Sequence, residues 1–291
     1  MLQRIVVTAP AKVNLFLGVG AVRPDGFHDV TTVLHTIELA DTVTLTLADS
    51  FTLTCTEDLG IAAEDNLAFR TAIAFAEEFE GLTGVAIELT KRIPAGAGLA
   101  GGSSDAAAVL AGLAVLTGRD VADPRLAVLA QRLGADTAFF LSGGAALMGG
   151  RGDVLERPLP AITAPVVLVK PSAPVPTALA YRAFDADPVV AGDPDAVVAA
   201  LEAGDVATLA GTLSNNMTKC AIALVPEVAD AIAWVSAESG VLGASVAGSG
   251  SSVFAVCADA STARRIAGAA PDHGFWGVPT ATRSAGVTWT E

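Results

Sequence analysis

The sequence predicts a mixed α+β protein with a division near residue 155, and three observations lead there. Runs that alternate with a period of two exchange with runs of helical spacing along the chain. Apolar residues fill 52% of the 291 positions and charged residues 16%, so a packed core is well supplied. Turn-forming stretches punctuate the elements, and no internal repeat or low-complexity tract breaks the pattern.

Taken in order, residues 4–8 and 13–19 read as strands separated by Ala9-Pro10. RPDGFH at 23–28 is turn chemistry, and strand alternation returns at 30–37, 42–47 and 51–55. Residues 66–79 carry apolar side chains at helical spacing, and 85–89 form a strand. A Gly-rich loop follows, then a helix from about 104 to 116 and another over 124–133. Beyond the division, 166–169 is a short buried strand and 185–195 a polar surface excursion. Helices are expected at 195–203, 205–213 and 226–239, before a Gly/Ser turn at 245–256 that runs into a strand.

Net charge is −14, which argues against nucleic acid or an anionic membrane surface as partner. It leaves room for a phosphate-bearing small ligand, because backbone N–H groups bind phosphate without net positive charge. The apolar run at 106–116 is too short to span a bilayer, and no secretory leader is read at the N-terminus. Cys55, Cys220 and Cys257 are far apart, so neither zinc nor a disulfide framework is expected, and a cytoplasmic setting fits.

The chemistry concentrates in PAGAGLAGGSSDAA at 94–107. GAGLAG at 96–101 matches G-x-G-x-x-G, but the following run at 106–118 is one helix with no second strand ending at the acidic residue. A dinucleotide-binding unit needs that strand. No Lys-Ser/Thr follows the last glycine, so a Walker loop is excluded as well. What remains is an anion cradle. Gly96, Gly98, Gly101 and Gly102 permit positive φ and close approach, and Ser103, Ser104 or Asp105 is placed to cap a helix whose N-terminus attracts phosphate.

Five stretches in order, PAKVNLFL (10–17), RPDGFH (23–28), the Gly-rich loop, GADTAFFLSGGAAL (134–147) and VAGSGSSVFAV (246–256), together resemble the GHMP kinase superfamily of small-molecule kinases. The first two resemble the branch of non-mevalonate isoprenoid synthesis, whose alcohol substrate carries a cytidine diphosphate. The resemblance implies two domains, 1–155 and 156–291. The first would be like ribosomal protein S5 domain 2 and the second ferredoxin-like, with the active site between them. It also implies ATP and Mg²⁺.

Residue by residue, the resemblance makes Asp136 the base toward the substrate hydroxyl and Lys12 its catalytic partner. Pro94, Gly96, Gly98, Leu99, Gly101, Gly102, Ser103 and Ser104 would cradle the phosphates, with Ser103 or Ser104 meeting the metal. Asn66, Leu67 and Lys91 fall to the adenine side. Asn14, Phe27, His28, Thr177 and Tyr181 fall to the substrate side, the aromatic groups stacking on the base and His28 reading its edge. Gly248, Ser249 and Gly250 would close the site. Phe27 stands where Tyr is usual, Ala138 where Pro is common and Ala100 where Gly is usual. A kinase of another small alcohol, and an inactive nucleotide-binding protein of the same fold, stay open at this level.

Overall fold

Pro10 does not break the first strand. In the computed structural model, which describes residues 2–290, Arg4–Val22 is one continuous strand where the sequence pattern predicts two. Its antiparallel ladder with His28–Leu47 shifts register between Pro10 and Lys12. A bulge is where a residue without an N–H can sit inside a sheet. The strand then changes cores. Ile5, Val7 and Ala9 pack in one apolar cluster and Ala11, Val13 and Leu15 in a second. The period of two puts Lys12 and Asn14 together on the other face.

Among the described residues the larger sheet has eight strands. Its central path runs Thr288–Thr290, Arg4–Val22, His28–Leu47, Val85–Thr90, Thr52–Cys55. The hairpin Ala145–Gly149 and Val154–Leu159 joins it through His28–Leu47, and the short strand Ser214–Asn215 pairs parallel with Arg4–Val22. The smaller sheet is antiparallel, ordered Trp276–Ala281, Pro165–Lys170, Val253–Cys257, Val241–Val246. That order places the fourth strand beside the first, as in a ferredoxin-like sheet. The division expected at 155 falls inside the Val154–Leu159 strand, and the chain's last strand pairs with its first.

The helix Gly101–Leu116 lies against the larger sheet and begins three residues earlier than its composition suggests. From Ala106 to Ala114 it is apolar on all sides because it is buried on all sides. A Cβ at Gly112 would stand 2.6 Å from Leu45 Cδ1, so the helix axis comes unusually close to the sheet. The helices Leu67–Glu78 and Pro124–Leu133 flank it.

Val13 and Phe16 of the first strand share a core with Val166, Leu168 and Phe254 of the smaller sheet. Each such side chain contributes about 1.5–3 kcal/mol on burial. The two sheets are therefore joined by common apolar packing, and the cleft between them has fixed walls. Among the described residues no helix is long and apolar enough to cross a membrane.

Candidate active site

A cleft of about 620 Å³ opens between the two sheets. That volume suits a nucleotide-sized ligand. Lys12, Asn14, Asp136, Tyr181 and the loop 94–102 all line it.

Lys12 comes from the bulged part of the first strand and is 4% exposed. Its ammonium donates to Asn14 Oδ1 at 2.8 Å and lies 3.9 Å from Asp136 Oδ2. Burial pushes the Lys12 ammonium below the ordinary lysine value, and the Asp136 carboxylate opposes that. Asp136 occupies the N-cap position of the helix Thr137–Ser142 but makes no capping hydrogen bond. Its carboxylate is left to the cleft, with 30% of the side chain exposed.

Asn14 is a junction. Its Oδ1 accepts from Lys12 and from the Gly248 N–H at 2.9 Å, and its Nδ2 donates to Thr32 Oγ1 at 2.9 Å. An amide has two donor hydrogens, so one remains for a ligand.

The Gly-rich loop 94–102 has the left-handed glycines expected of it, but its helix cap differs. Gly96 and Gly98 have φ of +62° and +77°, and Ala100, the N-cap residue, adopts φ +57°. Ala100 makes no side-chain cap, so Ser103, Ser104 and Asp105 lie inside the helix rather than capping it. The Ser104 N–H bonds to the Ala100 carbonyl. The N–H groups of Gly101, Gly102 and Ser103 form the first turn, which has no intrahelical partner, where the dipole favours an anion. A Cβ on Gly102 would meet open space, whereas one on Gly98 would collide with the 247–250 loop. Leu99 is buried, and its carbonyl accepts the Lys12 N–H at 3.2 Å. Pro94 lines the cleft at the loop's start.

Asn66, Leu67 and Lys91, expected on the nucleotide side, line the cleft and are engaged by the protein itself. Asn66 Oδ1 caps the helix Leu67–Glu78 by accepting the Ala68 N–H at 2.9 Å, with Leu67 beside it. The Lys91 ammonium is held by Asp41 and by Asp105, the latter at 2.6 Å. Asp41 Oδ1 in turn accepts the N–H groups of Arg92 and Ile93 at 2.5 and 2.9 Å. Lys91 thus stitches the root of the phosphate loop to its helix. Burial pushes Asp105 up to about 7, against the pull of Lys91.

Of the residues expected on the substrate side, Tyr181 lines the cleft, and its ring lies 5.0 Å from that of His28. Thr177 Oγ1 meets Ser249 Oγ at 3.2 Å, tying this wall to the 248–250 loop. Phe27 stands apart: it is 53% exposed and packs under the Arg151 guanidinium at 4.7 Å. Arg151 lines the cleft and pairs with Asp153, and the sequence reading omits it. Its signal was the GGRG turn at 149–152. Asp185, also omitted, binds His28 Nε2 at 2.7 Å and stands one helical turn after Tyr181.

A paired Lys and Asp beside an open helix N-terminus is a phosphoryl-transfer arrangement, and the comparisons with known proteins agree. Residues 66–144 match the model for the GHMP kinases N terminal domain and residues 197–274 that for the GHMP kinases C terminal domain. The chain belongs to the GHMP kinase family. It is 40% identical over 269 residues to 4-diphosphocytidyl-2-C-methyl-D-erythritol kinase of Moorella thermoacetica, covering 90% of this chain and 94% of that one. The corresponding kinase of Exiguobacterium sibiricum is 38% identical, covering 90% and 92%. A crystal structure of 4-(cytidine 5'-diphospho)-2C-methyl-D-erythritol kinase superposes with a TM-score of 0.81 at 36% identity, covering 95% of this chain and 98% of that one. Homoserine kinase from Cytophaga hutchinsonii shares the fold, with a TM-score of 0.78 at 23% identity over 100% of this chain and 98% of its own.

Proposed function

We propose that this chain transfers the γ-phosphoryl group of ATP to the 2-hydroxyl of 4-diphosphocytidyl-2-C-methyl-D-erythritol. The observation that carries the reading is the Lys12–Asp136 pair, 3.9 Å apart, at a cleft that also holds the uncapped start of the Gly101–Leu116 helix. The relatives of 38–40% identity support the choice of substrate.

In this reading the triphosphate settles on the N–H groups of Gly101, Gly102 and Ser103. Asp136 accepts the proton of the substrate hydroxyl as its oxygen attacks the γ-phosphorus and ADP leaves. A positioned base of this kind contributes about 10²–10⁴ in rate, or roughly 2.7–5.4 kcal/mol of barrier. The Lys12 ammonium favours the ionised carboxylate and offsets negative charge on the attacking oxygen. Asn14 holds Lys12 in place. Tyr181 and His28 receive the cytosine, and Thr177 and Arg151 line the wall toward the diphosphate.

The residues also suit Mg²⁺ delivered with the nucleotide. Among the described residues no group of three or more His, Cys, Asp and Glu forms a cage. Mg²⁺ at nucleotide sites needs few protein ligands besides phosphate oxygens. The Ser104 hydroxyl is buried without a partner at the start of the helix, and Ser103 precedes it. These two serines would hold the ion, which when bound neutralises charge on the phosphate oxygens.

Incubation of the purified protein with ATP, Mg²⁺ and the cytidine compound, followed by phosphorus NMR, should show a new phosphomonoester and equimolar ADP. Absence of that product refutes the reading.

A further inference from the structure

The helix Thr177–Ala186 sets Tyr181 and Asp185 one turn apart, and both meet the same imidazole. Tyr181 packs against the His28 ring, and Phe184 meets it edge-on with centroids 6.0 Å apart. Asp185 Oδ1 lies 2.7 Å from His28 Nε2. His28 itself is 8% exposed, so few positions are open to its ring.

An ionised carboxylate only accepts, so the ring nitrogen it meets carries the hydrogen. A neutral imidazole has one N–H. With that hydrogen on Nε2, the other nitrogen, Nδ1, presents a lone pair. Nδ1 has no hydrogen-bond partner among the described residues and is not sealed from solvent.

We infer that Asp185 is a specificity-determining positioning residue: by fixing the hydrogen of His28 on Nε2 it makes Nδ1 an acceptor for the exocyclic amine of cytosine and sets the site against uracil. Cytosine offers N–H donors at position 4, where uracil carries a carbonyl oxygen. Two acceptors facing each other leave both unpaired, and a site built to hydrogen-bond one group rejects the analogue lacking it. The inference builds on the reading that this wall of the cleft takes a cytidine diphosphate compound.

Calorimetry with cytidine 5′-diphosphate and uridine 5′-diphosphate as probes tests it without turnover. The wild-type protein should bind the cytidine compound at least ~10-fold tighter, the scale of one discriminating base contact. In Asp185→Leu no acceptor meets Nε2, so the ring hydrogen is no longer held there and the preference should fall toward parity. Asp185→Glu keeps a carboxylate and should keep the preference. Binding of a nonhydrolysable ATP analogue should be unchanged in both variants, which reports that the fold is intact. Equal binding of the two diphosphates by the wild-type protein overturns the inference. So does an undiminished preference in Asp185→Leu. A cytidine preference that depends on Asp185, in a protein that does not phosphorylate the cytidine substrate, would support the inference while refuting the proposed reaction.

Discussion

Lys91 and Asp105 meet at 2.6 Å directly beneath the phosphate loop, with Asp41 on the same ammonium. Two nearly inaccessible carboxylates therefore depend on one cation. Lys91→Met leaves them facing each other without it. Breaking a buried pair in this way costs about 3–5 kcal/mol. Denaturant unfolding should show a loss of that order, and KM for ATP should rise more than KM for the cytidine substrate. A variant with unchanged stability would mean that the cluster does not anchor the loop.

Asp136→Ala removes the proposed base and leaves the phosphate cradle intact. Turnover should fall by roughly 10²–10⁴ while a nonhydrolysable ATP analogue binds as before. Near-normal turnover would take proton transfer away from this residue.

Gly98 has φ +77°, and a Cβ there would stand 2.0 Å from the Ala247 carbonyl oxygen. Gly98→Ala must push the 247–250 loop away from the phosphate loop. A left-handed conformation costs a non-glycine residue about 1–2 kcal/mol, and overpacking adds about 1–3 kcal/mol. The Asn14 bond to the Gly248 N–H lies on the loop that moves. Both stability and kcat should drop, whereas Gly102→Ala, which meets open space, should retain stability.

What the sequence made legible was local. Strand alternation puts Lys12 and Asn14 on one face, and the glycines mark the loop that leads into the alanine-rich helix. The roles set by distant partners were not legible. Asn66, a local N-cap through the Ala68 N–H, also lines the cleft. Lys91 lines the cleft as expected, and the partner that holds its ammonium, Asp41, lies fifty positions earlier in the chain. Phe27 keeps an aromatic ring where Tyr is usual, yet Arg151 covers that ring from another hairpin. The strand Thr288–Thr290 returns to the first sheet through pairing with residues 6–8, a contact that no local pattern signals.

His35 gives the fold an acid limit. Its ring is wholly buried, with Nδ1–H donating to the Thr36 carbonyl at 2.9 Å and Nε2 accepting the Ile162 N–H at 3.3 Å. Both nitrogens are satisfied only in the neutral ring. Burial lowers its pKa to about 4, against about 6.5 in an unfolded chain. Between those values the unfolded state binds more protons than the folded one, so stability rises with pH across the window. The contribution is complete above about pH 6.5 and falls away as pH drops toward 4, by roughly 3 kcal/mol in all. Urea unfolding from pH 7 to pH 4 should show this slope. His35→Asn, which keeps a donor for the Thr36 carbonyl but has no titrating ring, should lose stability at pH 7 and show a shallower slope. Equal slopes in the two proteins would place the acid sensitivity in the carboxylates instead.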